Sequence, residues 1–130
     1  MKIRIINETD YNTSDLKKII RLVCDELMVK EDKKITIKYR HRPRGTKQCW
    51  GQARLPLSYE REGEWSMVTL PRVGVDPVDF ARVVKHELRH NLGVKHRDMT
   101  VEQKYCTTGC DWAKGMVIRR KSTVRLPDMP

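Results

Sequence analysis

No stretch of this chain approaches the roughly twenty consecutive apolar residues that a helix needs to cross a bilayer. Its composition, 38% hydrophobic against 34% charged, is that of a soluble protein, so membrane insertion is not expected. The N-terminus also lacks the continuous apolar segment of a secretory signal. Met1-Lys2-Ile3-Arg4-Ile5-Ile6 alternates charged and apolar residues and then meets polar Asn7-Glu8-Thr9-Asp10, which reads as a strand. With no such signal and only four cysteines in 130 residues, the expected setting is the cytoplasm, with reduced thiols. Internal repeats and low-complexity linkers are missing as well, and the length fits one domain able to bury a modest core without obligatory staples.

What the chain has in excess is positive charge: 27 Lys and Arg against 17 Asp and Glu give a net charge of +10. Such a field attracts nucleic acid, acidic proteins or anionic surfaces without choosing among them.

Lys2 to Ile6 and Lys33 to Arg40 both alternate, the second placing Ile35, Ile37 and Tyr39 on one face, and predict two half-buried strands. Between them Leu16, Ile19, Ile20, Val23 and Leu27 recur at helical spacing behind the capping candidates Thr13 and Ser14, with Cys24 on the buried shoulder. After the basic turn His41 to Lys47, Trp50, Ala53, Leu55 and Leu57 suggest a third strand. A charged hairpin at Glu60 to Glu64 then leads into a fourth, Trp65 to Leu70.

Asp76 supplies an N-cap, Pro77 suits the first helical position, and Asp79 favours the positive end of the dipole. The helix they open carries Ala81, Val84, Leu88 and Leu92 as its apolar stripe. The expected fold is therefore α+β: a small twisted, mostly antiparallel sheet of about four strands packed on two helices. The sheet and first helix occupy residues 1–75, the second helix 76–93, and a loop and C-terminal subdomain 94–130.

The second helix carries the chemistry. In His86-Glu87-Leu88-Arg89-His90-Asn91-Leu92-Gly93-Val94-Lys95-His96, His86 and His90 are one turn apart, so both imidazoles project on the same side and can hold one metal ion. A catalytic zinc site needs three protein ligands and an open position. Gly93 is placed to end the helix in the left-handed conformation and turn the chain back, so that His96 becomes the third ligand. Glu87 adjoins the first ligand, where a carboxylate can act as general base toward a water whose pKa zinc lowers to about 7. For shuffled residues of this composition the full spacing would arise roughly once in a hundred thousand chains.

These positions resemble the metzincin clan of zinc metallopeptidases, whose signature His-Glu-x-x-His-x-x-Gly-x-x-His is matched at His86, Glu87, His90, Gly93 and His96. The resemblance covers eleven contiguous residues. It implies one catalytic Zn2+, an antiparallel edge strand that holds extended substrate, with Trp65 to Leu70 or the preceding strand as candidates, and a methionine turn near the metal. Met116, after Gly115, is the candidate for that turn. Short members of the clan carry a second, cysteine-bound zinc, but with more cysteines and tighter pairs than Cys106 and Cys110 offer, so free or disulfide-linked thiols are expected there. Tyr105 is a candidate donor to an oxyanion, and Asp98 a candidate to orient a ligand histidine.

The function expected from the motif is hydrolysis of peptide bonds in protein or peptide substrates. Two other functions compete. One is a nucleic-acid-associated protein with a structural metal, motivated by His41 to Lys47, Arg119-Arg120-Lys121 and the net charge. The other is hydrolysis of cell-wall or other amides, because water activation alone does not select the bond.

Overall fold

The computed structural model describes residues 2–39, 68–70 and 76–121. The elements run β1 (Lys2–Asn7), α1 (Thr13–Glu26), β2 (Lys34–Tyr39), β3 (Val68–Leu70), α2 (Pro77–Asn91), a 3-10 turn at His96–Asp98, a short α3 (Val101–Lys104) and a second 3-10 turn at Asp111–Ala113.

The strands are where the sequence expectation fails. They form a sheet in the order β1-β2-β3, and both pairings are parallel, so the expected mostly antiparallel sheet is overturned. The physical reason lies in the connection: the chain leaves β1, crosses through the whole of α1 and returns beside β1 in the same direction, as a strand-helix-strand unit does. Val68–Leu70, expected within an antiparallel edge, instead pairs in parallel with β2 from Ile37↔Val68 to Tyr39↔Leu70. The proposed third strand, its Glu60 to Glu64 hairpin and the basic turn His41 to Lys47 lie outside the described residues.

Register explains the core. Ile3 pairs with Ile35 and Ile5 with Ile37, so the inward positions of β1 and β2 stand side by side and present one apolar face. Helix α1 packs on β1, α2 on β3, and the two helices on each other. Leu16, Ile19, Ile20, Val23 and Cys24 of α1 and Phe80, Ala81, Val83, Val84 and Leu88 of α2 join Ile35, Ile37 and Tyr39 in one cluster. The Tyr39 ring meets Phe80 edge-on at 5.1 Å. Burying a side chain of this size contributes about 1.5–3 kcal/mol, so this cluster, which runs from Ile3 to Ile118, dominates the stability.

The helix ends differ in how well the sequence foretells them. Asn12, rather than Thr13 or Ser14, caps α1 by accepting from the Asp15 amide. At the other end the chain turns through Met28 at φ +57°, with the Val29 amide returning to the Cys24 carbonyl.

The C-terminal segment, which looks patternless in the sequence, is tied to the start of the chain. Arg119 donates from its backbone and guanidinium to the Asp15 carboxylate, and its carbonyl accepts from the Asn12 amide. Those contacts hold the Asp15 carboxyl below the usual carboxylate range. Tyr11 and Arg120 form an isolated bridge, and Ile118 is buried. Among the described residues, no helix is long and apolar enough to cross a membrane.

Candidate metal centre

Helix α2 begins as its sequence dictates: the Asp76 side chain accepts from the Val78 amide at 2.8 Å, with Pro77 as the first helical residue. Ala81, Val84 and Leu88 face the core, whereas Leu92 does not. It caps the helix and is 46% exposed, because the chain turns away one residue later.

That turn is a Schellman motif, with Gly93 N bonding His90 O and Val94 N bonding Arg89 O, and Gly93 sits at φ +90°. A Cβ on Gly93 would meet no atom within 4 Å, so glycine is required by the backbone angle and not by crowding. The turn does two things at once. It sends His96 back toward α2, and it aims the Val94 carbonyl at His90 Nδ1, 2.7 Å away.

The result is a triangle of nitrogens. His86 Nε2, His90 Nε2 and His96 Nε2 stand 3.2 Å (86 to 90), 3.1 Å (86 to 96) and 3.1 Å (90 to 96) apart. Two nitrogens bound to one zinc ion at 2.0–2.1 Å in tetrahedral geometry would be separated by about 3.3 Å, so the triangle has the span of three ligands on one ion. The three histidines are close enough to hold a metal ion.

Hydrogen bonding around the rings fits the same purpose. His86 Nδ1 lies 3.0 Å from the Gln103 carbonyl, as His90 Nδ1 does from that of Val94. A carbonyl oxygen only accepts, so each of these Nδ1 atoms carries the proton and each Nε2 keeps a lone pair. Lone pairs 3.2 Å apart repel one another unless a cation lies between them. Burial holds His86 below the usual imidazole range, with the Gln103 carbonyl opposing and the nearby His90, His96 and Arg89 adding to the depression. His96 is held down by burial first, then by His90 and Lys104. A metal ion suits the triangle better than a proton.

Exposure is graded across the three. His86 is 6% exposed, His90 half-buried and His96 exposed, so the cluster is walled by the core on one side and open to solvent on the other. Among the described residues, no fourth His, Cys, Asp or Glu joins the group.

Glu87 sits at the buried side. It is 3% exposed, its Oε1 is 4.0 Å from His86 Nε2, and its Oε2 has no hydrogen-bond partner among the described residues. Burial pushes its carboxyl up to about 7. An orphaned carboxylate oxygen in such a place is costly, about 1–3 kcal/mol or more, while the other oxygen, Oε1, is the one that faces His86. A dication at the triangle would favour the ionised form again.

The remaining candidates separate. Asp98 accepts from the Lys95 amide at 3.4 Å across the 3-10 turn, so it shapes that loop without orienting an imidazole. Tyr105 is 66% exposed, with the Lys104 ammonium 5.6 Å from its ring centre. Met116 follows Gly115, bonds the Ala113 carbonyl through its amide, and packs against the core. Cys24, Cys106 and Cys110 are free. Burial pushes the Cys24 thiol up to about 12 and the Cys106 thiol up to about 11, and raises that of Cys110. His41 lies outside the described residues.

Sequence reasoning missed the two carbonyls that orient the ligands. Val94 could not be found, since any residue offers that oxygen. Gln103 had a signal: Thr100-Val101-Glu102-Gln103 is a capping box, with Gln103 N donating to Thr100 Oγ1 at 3.1 Å and Thr100 N to Gln103 Oε1 at 3.2 Å. That box fixes α3 and so the carbonyl facing His86. Comparison of the chain with protein-family models, with curated proteins and with solved structures finds no match.

Proposed function

We propose that this chain is a zinc-dependent metallopeptidase of the metzincin type, with His86, His90 and His96 holding the ion and Glu87 as general base. The observation that carries the reading is the convergence of three Nε2 atoms within 3.2 Å of one another, two of them with Nδ1 anchored, with the buried Glu87 carboxylate bringing Oε1 within 4.0 Å of His86 Nε2. Structural zinc is usually enclosed by four protein ligands, whereas three converge here among the described residues, with His96 exposed toward solvent. That favours chemistry over a purely structural metal.

When bound, zinc supplies Lewis acidity that makes water nucleophilic near neutral pH and polarises a carbonyl. The protein's part is positional and protonic. The Gln103 and Val94 carbonyls keep His86 and His90 in the tautomer that offers Nε2. Glu87 takes a proton at a carboxylate oxygen as the nucleophile attacks and returns it to the amine that leaves. The core behind His86 and Glu87 keeps bulk water from that side, so the proton stays with the carboxylate between the two steps.

Purified protein should contain about one zinc per chain and cleave a peptide library in a manner abolished by chelator and restored by zinc. Glu87→Gln should keep the metal and lose at least about a hundredfold in cleavage rate. Cleavage by Glu87→Gln at the wild-type rate would remove Glu87 from the mechanism, and absence of bound metal would end the reading.

A further inference from the structure

The cations that border the histidine cluster are arranged differently from those elsewhere on the same helix. Arg82 is hydrogen-bonded to the Gly109 carbonyl and paired with Asp111, and Lys85 is paired with Glu26. Four further cations flank the ligands and have no carboxylate partner among the described residues. Arg89, half-buried and acting also on the Glu26 carboxylate without an ion pair to it, precedes His90; Lys95 and Arg97 bracket His96 in the chain, and Lys104, near enough to act on His96, follows Gln103, whose carbonyl holds His86. Lys95, Arg97 and Lys104 are exposed, as is His96, on which Lys104 acts electrostatically. The nearest acid in the turn, Asp98, already accepts from the Lys95 amide. Val101 and Tyr105, 69% and 66% exposed on either side of Lys104, give this border apolar contact area as well.

We propose that this border is a specificity-determining surface that draws acidic peptide segments across the metal centre, an inference that rests on the peptidase reading above. An unpaired cation beside an open reaction site attracts a substrate carboxylate without first breaking an ion pair of its own. Several unpaired cations of one sign bias both encounter and register. The interruption of the border by Glu102 and by apolar groups fits a peptide with alternating side chains better than the uniform phosphate track of a nucleic acid.

The test uses the full chain in two assays. In the first, zinc-loaded protein is given matched peptides that differ only in carrying Asp or Glu, Gln or Asn, or Lys or Arg within two residues of the cleaved bond. Acidic peptides should be cleaved with about tenfold higher kcat/KM than basic ones, mostly through KM, and the ratio should shrink as salt rises from about 50 to 500 mM. In the second, labelled acidic and basic peptides bind to Glu87→Gln protein, which reads the surface without turnover. The acidic peptide should bind about tenfold more tightly at low salt, and Arg97→Glu with Lys104→Glu, at unchanged zinc content, should abolish or invert that order.

Equal binding of both peptides would overturn the proposal, as would a preference that survives the double reversal or tighter binding of an oligonucleotide than of the acidic peptide. Selective binding with no cleavage of any peptide would leave the surface standing and defeat the peptidase reading instead.

Discussion

Replacing Gly93 by alanine separates backbone conformation from packing at the metal centre. At φ +90° an L side chain is strained by about 1–2 kcal/mol, while stiffening of the unfolded chain by alanine returns about 0.4–1 kcal/mol. Because a Cβ there meets nothing within 4 Å, no clash is added, and the net loss of stability is about 1 kcal/mol. For a domain of this length that lowers Tm by roughly 4 °C. The larger effect falls on metal binding. The same turn places the Val94 carbonyl on His90 Nδ1 and brings His96 within 3.1 Å of the other two nitrogens, so a relaxed turn loosens two of three ligands. Loss of such an orienting partner weakens affinity by about tenfold or more. Thermal unfolding with and without zinc, together with competition against a colorimetric chelator, measures both terms. Gly93→Asn, which tolerates positive φ better, should fall between glycine and alanine. Wild-type zinc affinity in Gly93→Ala would show that the turn does not position the ligands.

Other consequences follow from the same contacts. Met28, at φ +57° and 86% exposed, closes α1, so Met28→Gly should stabilise the protein by about 1 kcal/mol in a denaturant titration; a lower midpoint would contradict the assigned strain. Thr100→Ala removes the hydroxyl that accepts from Gln103 N, and should lower the metal-free Tm by roughly 4 °C or less, for a cap worth about 1 kcal/mol, and also weaken zinc binding several-fold; unchanged zinc affinity would show that the capping box does not act through the Gln103 carbonyl. Arg119 lowers the folded pKa of Asp15, so this pair stabilises the protein above the ordinary aspartate pKa of about 4 and loses its effect as pH falls through the lower folded value. Asp15→Asn should therefore destabilise at neutral pH and flatten the stability profile below about pH 4, which acid titration of the unfolding midpoint would check.

The histidine motif was legible because its information is local: a one-turn spacing, a glycine where the chain must reverse, and a cap at Asp76 that sets the helix phase. The inward faces of β1 and β2 were legible for the same reason, since alternation survives whatever the strand direction. Direction did not, although the span from Asn7 to Lys34, filled by one helix, carried the clue that β2 returns parallel to β1. Leu92 was misplaced because helical periodicity carried past Asn91, where the helix ends. Cys110, Ala113 and Ile118 were hidden because they enter the core from short turns that have no period to read.

The stitching of Arg119 onto Asp15 and Asn12 also has a consequence for the order of events in folding. The start of α1 is made well before Arg119, and these bonds reach across 104 residues from Asp15, so that end of the helix stays incompletely tied until Arg119 has been synthesised. Contacts of such sequence separation slow folding because a long loop must close before they form. The histidines at positions 86, 90 and 96 thus leave the ribosome before this tie between Asp15 and Arg119 can close.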